Sequence, residues 1–266
     1  MGDYSWGDSE SEQLIQASGE EVSRKDEVIL PSKVKYTGEW SEKGKRHGRA
    51  TQIWPDGARY DGYFLNDHQE GYGRIIHGDG DVYLGYWSND RSNGKGKYTH
   101  VDGAYYDGDW VDDKHHGFGK EVWADGAIFQ GDYSNGKKHG HGCFVWPDGS
   151  TFEGDFIDNK MEGHGVYEWV DGRKYDGEWK ENQQHGEGQF TWEDGREYRG
   201  GYVGDKREGE GIFKWPDGRE YNGGWLQGRQ HGIATYKKAN GQVKRGRWEL
   251  GKRKGDWLPA VDQEGE

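Results

Sequence analysis

VWPDGSTFEGDF, residues 145–156, sets a Trp, a Pro-Asp-Gly turn signal and a Phe-x-Gly-x-Phe run in twelve consecutive positions. Nearly the same phrase recurs as IWPDGARYDGYF at 53–64 and KWPDGREYNGGW at 214–225. Asp-Gly supplies the positive-φ position that tight turns need. Side chains alternate across a strand, so Phe152, Gly154 and Phe156 share one face and Glu153 and Asp155 take the other. The phrase is therefore a junction: a Trp closes one strand, a turn follows, and a ring–glycine–ring strand opens.

Outward from that junction the pattern keeps a period of 23 residues. Aromatic-x-Gly-x-aromatic recurs at Tyr36/Trp40, Tyr60/Phe64, Tyr83/Trp87, Tyr106/Trp110, Phe129/Tyr133, Phe152/Phe156, Tyr175/Trp179, Tyr198/Tyr202 and Tyr221/Trp225, with glycines such as Gly108, Gly154 and Gly177 at the centre. The first unit is one residue longer. The second half of the unit reads Gly-x-Gly-x-aromatic-x-Trp, shown best by Gly140, Gly142, Phe144 and Trp146. End units depart, with Ala50 and Ala234 at the second glycine and Lys238 at the Trp. A fixed period of this size marks a repeat array whose end units are atypical.

The spacing predicts an all-β chain: nine antiparallel hairpins over 36–243, then a degenerate half-unit or cap over 244–266. Eighteen strands at ~4.8 Å would form an elongated ribbon roughly 85 Å long. A glycine between two rings is expected to act as a socket for a ring from the neighbouring strand. Residues 1–35 are acidic and predict a mostly flexible tail, with a short helix the alternative within 11–30. The C-terminal LPAVDQEGE is expected to fray.

Composition agrees only through the rings. The hydrophobic fraction is 30% and the net charge −13. Leu, Ile, Val and Phe fall well under the ~20% expected of globular chains. Fourteen Trp and seventeen Tyr contradict disorder, since each buried ring removes roughly 150–250 Å² from water. The single cysteine, Cys143, excludes an internal disulfide, suits a reducing, cytoplasmic setting, and reads as a buried inert thiol. No run approaches the ~18 apolar residues of a membrane span. The acidic start is no signal peptide, and Trp6 stands where a myristoylation signal wants Ser or Thr.

YDGEWKENQQHGEGQFTWEDGRE, residues 175–197, resembles the MORN repeat (membrane occupation and recognition nexus), and its YxGxW, HGxGxF and WPDG elements recur in register nine times. The resemblance implies a twisted array of antiparallel hairpins. It also implies a scaffolding role in cilia and radial spokes, cortical cytoskeleton or membrane junctions. Some relatives add a lipid kinase or methyltransferase domain, and no such domain is expected here.

His47, His116, His139, His185 and His231 precede the hairpin glycine. They fall about 10 Å apart along one edge, too far for one metal ion, and read as polar turn residues. No metal, cofactor or catalytic site is predicted, because the carboxylates repeat on the outer face and no nucleophile, phosphate-loop or zinc spacing occurs. Lys137, Lys138, Lys206 and Arg207 sit in the turns and form a candidate anion-contacting edge. Of the net −13, residues 1–30 carry −6, eight acids against two bases, which leaves −7 on the remainder. Weak or no phosphoinositide contact and no nucleic acid are therefore expected. The leading expectation is a non-enzymatic scaffold for other proteins. The alternatives are a phosphoinositide-binding peripheral protein and a regulatory subunit of a lipid kinase. The basic stretch KRGRWELGKRKG, with Trp248 and Trp257 nearby, is expected either to cap the last strand or to pair with a second copy or another chain.

Overall fold

The computed structural model describes residues 8–259. Gly2, Trp6 and all but the first two residues of the 258–266 segment expected to fray lie outside the described residues; Leu258 pairs with Arg245. The chain divides into an N-terminal part ending at Lys137 and a C-terminal part starting at Lys138.

The N-terminal part holds α1 (Ser9–Ala17) and strands β1 (Val22–Ile29), β2 (Lys35–Ser41), β3 (Arg46–Ile53), β4 (Arg59–Leu65), β5 (His68–Ile76), β6 (Val82–Ser88), β7 (Arg91–Thr99), β8 (Tyr105–Val111), β9 (Lys114–Val122) and β10 (Ile128–Ser134). Each strand pairs antiparallel with the next, from β1 through β10. The C-terminal part continues as β11 (Lys137–Val145), β12 (Thr151–Ile157), β13 (Lys160–Glu168), β14 (Lys174–Lys180), β15 (Gln183–Thr191), β16 (Glu197–Val203), β17 (Lys206–Lys214), β18 (Glu220–Leu226), β19 (Arg229–Lys237), β20 (Val243–Glu249) and β21 (Lys252–Leu258). Its strands also pair in consecutive antiparallel order. The all-β hairpin array read from the period is thus present.

From the second repeat on, each hairpin is closed by a two-residue turn with both residues at positive φ, as at Asn66 (54°) and Asp67 (81°) or Asp158 (50°) and Asn159 (71°); the longer first turn has only Gly44 there, at 74°. That geometry matches the right-handed twist of the flanking strands and favours Asn, Asp and Gly. The second turn residue also ties its repeat to the one before. Asp67 Oδ1 accepts from Arg46 N at 2.9 Å, and Asp205 Oδ1 accepts from Gln184 N at 2.8 Å.

The glycine sockets are real, but a different ring fills them. An added Cβ on Gly154 would stand 2.5 Å from Gly165 Cα and 2.8 Å from the tip of Phe152. One on Gly165 would stand 2.4 Å from Phe152. The ring over the pair is therefore Phe152, the first aromatic of Gly154's own strand; only for Gly165 does it come from the neighbouring strand. Where that residue is Tyr, its hydroxyl reaches past the socket: Tyr175 donates to Glu178 O at 2.9 Å and Tyr83 to Tyr86 O at 2.9 Å. The first glycine of Gly-x-Gly has another role. Gly85 pairs with Gly96 and Trp87 with Ser92, so Tyr86 faces three residues of β7. Gly94 lies in that bulge at φ +72°, as Gly163 does at +67°. Only glycine adopts this conformation without strain.

The buried rings pack edge to face, the arrangement their quadrupoles favour. Within the C-terminal part Phe152 meets Trp179 at 5.4 Å, Tyr175 meets Tyr202 at 5.1 Å and Tyr198 meets Trp225 at 5.1 Å. Trp179 Nε1 donates to Gly165 O at 3.0 Å, so the indole also stitches repeats.

Both ends differ from expectation. Residues 9–29, predicted as mostly flexible, carry α1 and β1. Strand β1 pairs along β2 and presents charged, exposed residues outward, which blunts a sheet edge. At the other end the half-unit is completed by β21, so 243–258 is a tenth hairpin. Trp248 is buried against Tyr221 at 5.1 Å, and half-buried Trp257 lies 6.1 Å from Tyr236 and 6.0 Å from Trp248. These two tryptophans pack over the last rings of the buried row.

Candidate protein-binding surface

One face of the C-terminal part presents a second row of rings, beside the buried one. It is built from the two aromatic slots of Gly-x-Gly-x-aromatic-x-Trp. Phe144 and Trp146 lie 4.6 Å apart, Trp146 and Tyr167 4.9 Å, Tyr167 and Trp169 4.4 Å, Trp169 and Phe190 5.3 Å. The row continues through Phe190–Trp192 at 4.4 Å, Trp192–Phe213 at 5.5 Å and Phe213–Trp215 at 4.5 Å. Phe213 is buried; the other rings of the row are half-exposed. Strands β11 to β17 carry it, about 30 Å at the spacing of neighbouring strands. In the N-terminal part the same slots hold Gln52, His77, His100 and Glu121, so the ring row there is broken.

Charge edges the row in a regular way. Arg173, Arg196 and Arg219 lie over Trp169, Trp192 and Trp215 at 5.1, 5.2 and 5.2 Å. Each also pairs with the aspartate two residues before it, at 2.8, 2.8 and 2.7 Å. The surface is thus flat, aromatic and locally neutralised, suited to an extended chain with apolar side chains.

The predicted site residues distribute as follows. Tyr106, Trp110, Phe152, Phe156, Tyr175 and Trp179 are buried core rings, with Gly108, Gly154 and Gly177 beneath them. Lys137 and Lys206 are exposed first residues of β11 and β17, and Lys138 Nζ lies 5.9 Å from the Phe144 ring. Arg207 does not project from the edge. Its guanidinium lies 4.2 Å from the Trp225 ring and 5.6 Å from Phe213, and donates to Gly228 O at 3.0 Å. Arg207 is therefore turned onto the rings and is not an exposed edge charge. Cys143 is half-buried, and burial raises its thiol pKa.

The histidine slot varies in burial: His139 is exposed, while His116, His185 and His231 are half-buried. His47 is fully buried, its Nε2 3.2 Å from Ser18 Oγ, and burial lowers its pKa. The Nδ1 atoms of His47, His116 and His231 are buried without a hydrogen-bond partner. Among the described residues no cluster of His, Cys, Asp and Glu is arranged to hold a metal ion. No described helix is long and apolar enough to cross a membrane.

The opposite face of the N-terminal part carries α1, which sequence reasoning placed only loosely. Asp8 caps the helix through Ser11 N at 3.0 Å. Tyr72 N donates to Ser11 Oγ at 2.7 Å, Tyr86 donates its hydroxyl to Asp8 at 3.3 Å, and Glu12 pairs with Arg49. The docking is polar, so no apolar stripe announces it. The available signal was Tyr63 and Tyr86, at a position that later repeats fill with Asp109, Asp132, Asp155, Glu178, Gly201 and Gly224.

Compared with known structures, the fold is similar to the TCP10 domain of Danio rerio CPAP, solved in complex with a STIL peptide. Identity is 11%, coverage 90% of this chain and 100% of that one, and the TM-score 0.46. It is also similar to the Drosophila melanogaster SAS-4 (dCPAP) TCP domain with a proline-rich motif of Ana2, at 11% identity, 75% and 88% coverage and a TM-score of 0.32. No curated protein matches. Compared with known families, residues 36–59, 60–82, 83–105, 106–128, 129–151, 152–172, 175–195, 198–218 and 221–243 each match the MORN repeat. With nine such repeats in unbroken succession, this chain belongs to the MORN repeat family.

Proposed function

We propose that the chain is a non-enzymatic scaffold that receives an extended segment of another protein along the aromatic row of its C-terminal part. The observation that carries this is the run of rings from Phe144 to Trp215, half-exposed except at Phe213 and held at ring-to-ring distances of 4.4–5.5 Å. A strand of chain rises about 3.3 Å per residue, so a 30 Å row takes about nine residues. Rings fixed by backbone pairing lose little entropy on binding, which favours affinity. The setting we propose is a ciliary or cortical cytoskeletal assembly in the cytoplasm. Phosphoinositide contact is proposed to be weak, since turn cations such as Lys160 are already paired, with Glu181 at 3.2 Å.

Proximity labelling from the full-length chain tests this reading. Proteins of cilium or cortex should be labelled, and the set should shrink with Trp169→Ala/Trp192→Ala at unchanged expression. Labelling confined to membrane lipids' partners, or a set indifferent to the double substitution, would refute it.

A further inference from the structure

Two arginines occupy equivalent places in the repeat and differ in whether a carboxylate meets them. Arg46 and Arg207 each stand two residues before the bulge glycine, Gly48 and Gly209. Arg46 lies over Phe64 at 5.0 Å, and Arg207 lies over Trp225 at 4.2 Å. Arg46 also contacts Asp67, with Nε 3.4 Å from Oδ1. In the later repeat the position of Asp67 is held by Gly228. The backbone tie survives, since Gly228 N donates to Arg207 O at 2.9 Å. The carboxylate does not, and among the described residues no acid pairs with Arg207.

Arg207 is half-buried among rings. Burial, with Arg196 nearby, lowers its pKa below the usual value. A desolvated cation is costly unless an anion meets it, and ring faces compensate only in part. Beside it opens a pocket of about 330 Å³, lined by Trp192, Phe213 and Trp215 of the aromatic row together with Arg196, Arg229 and Gln230. No aspartate or glutamate lines it. A planar guanidinium is well matched to a carboxylate.

We propose that this pocket is a carboxylate subsite, which takes a glutamate or aspartate side chain from an acidic, extended segment of a partner protein lying on the aromatic row. The inference rests on the scaffold reading above and adds the chemistry of the partner. The missing Asp67 equivalent is supplied from outside, so the segment is fixed in register where the array lacks its own anion.

The substitution Gly228→Asp restores the internal anion. Gly228 has φ +79°, close to the +81° that Asp67 already adopts, and its Cβ would meet open space. The probe is a labelled peptide of about nine residues, built of glycine, serine and leucine around two central glutamates. Its twin carries glutamines. Fluorescence anisotropy with the full chain should show the glutamate peptide binding about tenfold or more tightly. Gly228→Asp and Arg207→Leu should each remove that preference, the first without loss of thermal stability. Preference that persists in both variants, or equal binding of the two peptides by the unaltered chain, overturns the subsite. Stronger displacement by inorganic phosphate or phosphoinositide vesicles than by unlabelled glutamate peptide overturns the choice of a carboxylate. Trp169→Ala separates the two claims, because Trp169 lies outside the pocket. If it abolishes binding of both peptides while no glutamate preference exists, the aromatic row stands and the subsite falls. If glutamate preference holds but Trp169→Ala changes nothing, the subsite stands and the row falls.

Discussion

Gly154→Val and Gly165→Ala should differ sharply, although the two glycines face each other across β12 and β13. A side chain on Gly154 points at backbone: its Cβ would lie 2.5 Å from Gly165 Cα and 2.7 Å from His164 O. Backbone in a paired ladder cannot retreat without parting the strands. A side chain on Gly165 points mainly at a ring, 2.4 Å from Phe152, with the nearest backbone atom at 3.3 Å. A ring can tilt. The chain contains the control, since Ala50 and Ala234 occupy the Gly165 slot opposite Gly38 and Gly223. The rings above them, Tyr36 and Tyr221, remain fully buried. Ejecting Phe152 altogether would forfeit the burial of roughly 150–250 Å² at ~25 cal/mol/Å², about 4–6 kcal/mol, which bounds the loss from above. Overpacking without ejection costs about 1–3 kcal/mol. Gly154→Val should therefore cost about 3 kcal/mol or more and Gly165→Ala about 1 kcal/mol or less. Repeat arrays do not unfold in one step, so hydrogen exchange across 144–168 is the assay, with a melting curve alongside. Equal loss of protection in the two variants, or a larger loss for Gly165→Ala, would refute the assignment of Phe152 as the ring over the socket.

Asp205→Ala removes the acceptor of Gln184 N and should cost about 1–2 kcal/mol, read as faster exchange at Gln184. Alkali should unfold the chain. Tyr98 and Tyr221 are pushed up to about 12 from 10.0, chiefly by burial. Below pH 10 both folded and unfolded chains keep the phenol proton and this stabilisation is complete. Between 10 and 12 only the unfolded chain releases it, so stability is lost as pH rises. Phenolate absorbance should then appear together with loss of the strand spectrum, and smooth titration of all tyrosines at pH 10 in a folded chain would contradict this. Ser11→Ala should expose Tyr72 N to exchange while leaving the melting temperature of the array nearly unchanged; a global loss of stability would show that α1 is part of the core.

The strands, their pairing partners and the ring–glycine–ring face were legible because an array repeats one rule, and a period of 23 states it nine times. What escaped has physical reasons. The bulge at Gly94 and Gly163 is a backbone conformation, and a glycine reads the same in a bulge as in a socket. Which ring covers Gly165 depends on rotamer and register, since Phe152 and Tyr167 both lie within reach across the ladder. Helix α1 docks by hydrogen bonds from Asp8, Ser11 and Glu12, which leave no hydrophobic period. Strand β21 keeps Trp257 but lacks the spacing of the earlier repeats. At the proposed binding face the rings were legible and their half-exposure was not. Arg207 shows the limit most plainly: as a turn cation it reads as edge charge, and only the fold places its guanidinium over Trp225.

The most direct measurement is hydroxyl-radical footprinting of the full chain with and without a protein captured from cells. Protection of Trp146, Trp169, Trp192 and Trp215, with the opposite-face residues His141 and His164 unchanged, is the predicted result. Protection of His141 and His164 in place of the four tryptophans would contradict the account.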